Sequence, residues 1–146
     1  MAATTAWQLA RYKLPTALEQ RLCTPSLVVY ADVLRQNVER VIKACGGARR
    51  WQPHIKTVKS KAIIEELIDR GVKQFKCATS REAELIGQML RGRGDGPFEV
   101  VVSYPHTGPT LARIAAAARA CRYGDGDAEE DIVSWAVIVE DVAGAR

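Results

Sequence analysis

Strand-like and helix-like segments alternate from about Thr24 to the C-terminus, and this alternation most constrains the fold. Thr24-Pro25 introduces a first expected strand, Ser26 to Tyr30. Asp32 can cap the helix that follows, with Val33, Leu34, Val38, Val41, Ile42 and Cys45 on one face and Gly46-Gly47 ending it. A second strand is expected over Arg50 to Lys56. The next helix spans about Ser60 to Arg70, with Ile63, Ile64, Leu67 and Ile68 inward and Gly71 at its C-cap. Gln74 to Ala78 reads as a third strand, and Thr79-Ser80-Arg81-Glu82 as a capping box opening a helix through Leu90. After a Gly-rich loop, Arg91 to Pro97, come a fourth strand, Glu99 to Ser103, and an Ala-rich helix from Gly108-Pro109 to near Cys121. Tyr123 to Glu130 reads as a polar loop, Ile132 to Val139 as a fifth strand and Asp141 as the cap of a further helix. Such alternation argues for a parallel sheet joined by right-handed crossovers.

Composition narrows the function classes. At 146 residues, 47% hydrophobic and 26% charged, the chain has the make-up of a globular domain with one core. A loosely patterned leader, 1–23, precedes the domain expected over 24–146. The net charge of +4 is spread along the chain without an aromatic-interleaved basic stripe, which argues against nucleic acid as a partner. No apolar run approaches the roughly 20 residues of a membrane helix, and the N-terminus lacks the pattern of a secretory signal. Cys23, Cys45, Cys77 and Cys121 are far apart, with no C-x-x-C pair and no histidine at zinc spacing. A reduced, cytoplasmic protein is expected.

The chemistry concentrates in Trp51 to Ser60, WQPHIKTVKS. On a strand, Gln52, His54 and Lys56 would share one face and Trp51, Pro53 and Ile55 the other. A strand buried on both sides reads as a continuous apolar run, so the polar trio needs a reason. A barrel interior supplies one, since barrel enzymes place their active groups at the C-terminal ends of strands. Lys56 at such an end suits a Schiff base, because desolvation lowers a lysine's pKa and frees the nucleophilic amine. Lys76 competes with it, as Gln74, Lys76 and Ala78 also share a strand face. Lys59 and Lys61 fall on the following loop and helix, facing solvent or helping with phosphate or carboxylate charge. His54 is read either as a hydrogen-bonded interior histidine or as a group beside a cofactor ring. Tyr104 and His106 follow the fourth strand on the rim where a barrel binds ligands. Gly92, Gly94 and Gly96 precede a strand rather than a helix, so they read as a turn and not a phosphate cradle.

Four blocks occur in an order that resembles a known family. They are Thr24-Pro25-Ser26-Leu27-Val28-Val29, Pro53-His54-Ile55-Lys56-Thr57-Val58-Lys59, Cys77-Ala78-Thr79-Ser80-Arg81-Glu82-Ala83-Glu84, and Tyr104-Pro105 with Gly108-Pro109. Together they resemble the N-terminal, alanine-racemase-like barrel of D-threonine aldolase and D-serine dehydratase relatives, which are fold-type III pyridoxal 5'-phosphate (PLP) enzymes. The resemblance implies PLP as cofactor, Lys56 as its Schiff-base lysine, and His54 beside it in the cofactor site. It implies a lyase that cleaves a D-β-hydroxy amino acid to glycine and an aldehyde. D-serine dehydration, amino-acid racemisation and non-catalytic PLP binding remain as alternatives.

Two positions depart from the family motif, Gln52 standing for an arginine and Val58 for a second histidine. A full (β/α)8 barrel takes about 250 residues. The resemblance therefore implies a partial TIM-type barrel truncated after roughly half its strands, in an N-terminal fragment inactive by itself. For a full-length parent it implies a homodimer and a C-terminal β-domain carrying further catalytic and divalent-metal groups. No metal ligand is assigned here, because neither His54 nor His106 has a second ligand at suitable spacing.

Overall fold

Three short runs with alternating apolar residues build the sheet. The computed structural model describes residues 12–122 and 133–140. Among these, β1 (Gln74–Cys77), β2 (Phe98–Val102) and β3 (Val133–Val137) pair in parallel, in the order β1-β2-β3. Phe75 lies in register with Val100, and Phe98 with Val133. The two-residue period sorts each strand into faces. Phe75, Cys77, Phe98, Val100, Val102 and Val133 are buried, whereas Gln74, Lys76, Glu99 and Val101 on the opposite face are only partly covered. One face thus belongs to the core and the other is polar.

The described residues form two compact units, one ending at Asn37 and one beginning at Val38. The first contains the single turn α1 (Thr16–Glu19) and the beginning of α2 (Ala31–Cys45). In it, the Tyr30 hydroxyl donates to the Tyr12 carbonyl and the two rings meet edge to face at 5.1 Å. The second unit carries the sheet, α3 (Lys61–Asp69), α4 (Ser80–Leu90) and α5 (Gly108–Arg122).

Some helix ends follow the expected chemistry, but Asp32, expected as a cap, lies inside the first turn of α2, and Ser60 precedes α3 without a side-chain cap bond. α3 turns its Ile64, Leu67 and Ile68 inward and stops at Gly71, whose φ of +83° is one that glycine adopts without a Cβ clash. The Val72 N–H then donates to the Leu67 carbonyl at 3.1 Å, closing the cap. Thr79 Oγ1 accepts from the Glu82 N–H at 3.2 Å and starts α4. α4 and α5 are clipped together outside the core by Arg113, which donates to both Glu84 oxygens at 2.9 and 2.8 Å.

The Gly-rich loop before β2 is held by charge. Arg93 donates to Glu65 of α3 at 2.6 Å and to Asp95 at 3.0 Å, while the Lys73 ammonium reaches Asp95 at 2.8 Å and sits 4.4 Å from the Phe98 ring centre. The Arg93 and Lys73 cations hold the Asp95 carboxyl down to about 2. A carboxyl with a lowered folded-state pKa contributes stability above its unfolded value, and that contribution fades as pH falls toward the folded value. Asp95 is 47% exposed, so screening limits the effect to under ~1 kcal/mol. Asp95→Asn is expected to lower the melting temperature slightly at neutral pH, with the gap to wild type closing between about pH 4 and pH 2. A gap that persists unchanged at pH 2 would mean the loop is held by packing instead.

Two expected strands are not strands. Ser26 to Tyr30 has no regular secondary structure, and Leu27 is 87% exposed. Its β-prone residues find no ladder partner among the described residues, and β-propensity is largely a response to such neighbours. Arg50 to Lys56 is replaced by a 3₁₀ turn (Ala48–Arg50), an extended stretch, one parallel bridge from His54 to Lys76, and a second 3₁₀ turn (Ile55–Thr57). Pro53 has no N–H to extend a ladder, although its carbonyl accepts from the Lys76 N–H at 2.9 Å. The remaining strands shift by about a residue at their ends, as boundaries do. The expected loop Tyr123 to Glu130 and the cap at Asp141 lie outside the described residues.

Candidate functional site

The C-terminal ends of the parallel strands gather the residues with chemistry. His54 bridges β1 beside Lys76, so the two occupy matching positions at the sheet edge. The His54 ring Nδ1 accepts from the Lys56 N–H at 3.2 Å and caps the turn that carries Lys56. Accepting there leaves any ring proton on Nε2. Burial, and then the Lys56 and Lys76 ammonium groups, push the His54 pKa down against the opposing pull of Glu82. With Nδ1 accepting a hydrogen bond, the geometry matches the neutral imidazole.

Lys56 does not stand on the same strand face as Gln52 and His54, as the two-residue period predicts. The strand period stops at Ile55, which is buried, and the 3₁₀ turn carries Lys56 out to an exposed position. Gln52 is drawn the other way, toward Glu99 of β2 at 3.4 Å. Lys76 remains half-buried on the polar sheet face, and Lys61 is exposed at the start of α3. Lys56 is therefore exposed to solvent and does not sit in the partly desolvated position expected of a strand end.

The end of β1 is gripped from both sides. The Ala78 N–H donates to the Glu82 carboxylate at 2.8 Å, and the Ala78 carbonyl accepts from His106 Nε2 at 2.8 Å. A carbonyl only accepts, so Nε2 of His106 carries a proton. Glu82 is 3% exposed and its other oxygen lies 3.4 Å from Lys59 Nζ. Burial alone would raise its pKa, but the Ala78 N–H, Lys59 and Thr79 hold it below the usual carboxylate value. A cleft of about 530 Å³ opens here between Lys59, Thr79, Arg81, Glu82 and Gln88, and neither His54 nor Lys56 lines it.

Cys77 is excluded as a nucleophile. Burial first, and the Glu82 charge second, push its thiol up to about 12, so it stays protonated and packs as a small hydrophobe. At the end of β2, the Ser103 hydroxyl is shielded from water yet has no hydrogen-bond partner, and Tyr104 next to it is exposed. An unpaired buried hydroxyl is costly, which makes it a natural contact for a bound group. Among the described residues, no cluster of three or more His, Cys, Asp or Glu side chains could hold a metal ion. No described helix is long and apolar enough to cross a membrane.

Glu82 is the residue that reading for caps undervalues. Its box partner Thr79 is present, but the carboxylate reaches one residue further back, to Ala78. The sequence signal is spacing: Glu82, Ile86 and Leu90 recur every four residues, which puts the carboxylate on the buried face of α4. No family model, curated protein or solved structure matches this chain.

Proposed function

We propose that this chain carries the cofactor-binding part of a PLP-dependent lyase acting on D-amino acids, of the D-threonine aldolase kind, with Lys56 holding the cofactor. The observation that carries the reading is the placement of Lys56, exposed on a turn at the C-terminal end of a parallel sheet and directly after the neutral His54. The unpartnered Ser103 hydroxyl at the end of β2 supplies a second polar group for the same ligand. A partial (β/α)8 barrel of the alanine racemase N-terminal type is part of this reading. Parallel strands in chain order, alternating with helices, support it.

When bound, PLP supplies an electron sink for negative charge developing at the substrate's α-carbon. The protein's own groups have separate tasks. Lys56 Nζ is an exposed primary amine for covalent attachment. His54, with Nδ1 occupied by the Lys56 N–H, offers Nε2–H as a hydrogen-bond donor without adding charge. His106 commits Nε2–H to the Ala78 carbonyl, so Nδ1 is its remaining polar atom.

The test is trapping: incubate the purified chain with PLP, reduce with borohydride and map the modified peptides. The expected result is label concentrated on Lys56 and lost in Lys56→Ala. Label scattered over Lys59, Lys61, Lys76 and surface lysines would overturn the assignment.

A further inference from the structure

The turn that presents Lys56 is tied down at three points, and the sequence motif accounts for only one. Ile55 anchors it in the core, the His54 ring caps it, and the Lys59 ammonium reaches 3.4 Å across to the buried Glu82 carboxylate at the head of α4. Lys59 has a φ of +46°, a left-handed conformation that residues bearing a Cβ seldom adopt. Its N–H donates to the Ile55 carbonyl at 3.0 Å, as does that of Val58 at 3.1 Å, so the odd backbone and the reaching side chain belong to one folded turn. Glu82 in turn is fixed by the Ala78 N–H at 2.8 Å. The Lys56 turn is thereby connected to the exit of β1.

We propose that Lys59 and Glu82 form a strap that fixes the Lys56 turn against the end of β1, making Glu82 a positioning residue for the Lys56 amine. The consequence for Lys56 rests on the cofactor reading above; the strap itself does not. Glu82 is 97% withdrawn from solvent, and its charge is held there by the Ala78 N–H and, from the Lys56 turn, by Lys59. Lys59 is 61% exposed, so it can be changed without opening the core.

Hydrogen exchange on the whole chain tests the strap, with Lys59→Met and Glu82→Gln removing the charge from either side. Exchange at the Val58 and Lys59 amides is expected to quicken about fivefold in each variant, the size of coupling found between contacting groups. The double variant should go no further, and Lys59→Arg should restore protection. The Val72 amide, bonded to the Leu67 carbonyl, serves as reference for global folding and should not change. Borohydride-trapped label on Lys56 should fall by a similar factor in both single variants. Unchanged exchange at Val58 and Lys59, or strictly additive effects, would overturn the strap. Faster exchange with full labelling of Lys56 would overturn the positioning role. Wild-type label away from Lys56 would overturn the cofactor reading and that role together, while the exchange rates still decide whether the strap exists.

Discussion

Phe75→Ala is expected to destabilise the domain by about 3–5 kcal/mol, enough to leave much of the chain unfolded at room temperature. Phe75 is fully buried at 0% exposure, on the core face of β1 and in register with Val100 of β2. Truncation removes the transfer free energy of the ring and leaves a cavity that parallel strands cannot close by sliding, since register fixes their neighbours. Phe75→Leu keeps most of the volume and is expected to lose under ~1.5 kcal/mol. Val101, on the polar face and half-covered, should tolerate alanine at under ~1 kcal/mol. Urea unfolding followed by far-UV circular dichroism measures all three. Equal midpoints for Phe75→Ala and Val101→Ala would show that the two faces of the sheet have been assigned wrongly.

The second large effect is expected at Gly87, where α4 and α5 come closest. A Cβ built there meets Cys121 Sγ at 3.2 Å, the Ala117 carbonyl oxygen at 3.5 Å and Ala117 Cβ at 3.7 Å. Two effects oppose each other in Gly87→Ala. Helix propensity favours alanine by about 1 kcal/mol, while the tight sulfur contact costs a comparable amount if Cys121 stays hydrogen-bonded to the Gly87 and Ala117 carbonyls. The net change for alanine should stay within ~1 kcal/mol. Gly87→Val has no such offset, because its two further methyls press on the α5 backbone and its branched Cβ disfavours the helix. A loss of about 3 kcal/mol is expected, read as a lower thermal midpoint. Gly87→Ala combined with Cys121→Ala should be more stable than the sum of the single changes, because the clash partner is gone. A wild-type midpoint for Gly87→Val would mean that the two helices separate freely.

The parts of the fold that were legible are those governed by local chemistry. Gly71 and Thr79 mark a helix end and a helix start for reasons contained within four residues, and both do so in the structure. β1 and β2 carry an apolar alternation that needs only a parallel partner. Ser26 to Tyr30 fails because a strand is a relation between two segments, and no described segment pairs with it. His54 shows the limit most clearly. The two-residue period points its side chain from a strand, but the ring instead caps the next turn, and the extended stretch ends there. At the site, the position of His106 just beyond β2 was readable from its order along the chain, whereas Lys56 leaves the strand face expected of it. The burial of Glu82 was hidden because one residue serves as both cap neighbour and interior anion, and only the spacing to Ile86 and Leu90 distinguishes the two.

The order β1-β2-β3 also bears on how the molecule is made. Each strand lies beside the one synthesised just before it, so every new edge is ready when its partner leaves the ribosome. Assembly can follow translation in chain order, each parallel pairing waiting only for the crossover between its two strands to close. The exposed interval is specific: between completion of β2 and arrival of β3, the outer edge of Phe98–Val102, the side away from β1, is an unpaired template for any other extended chain. A slowing of translation within that interval is where misassociation would begin.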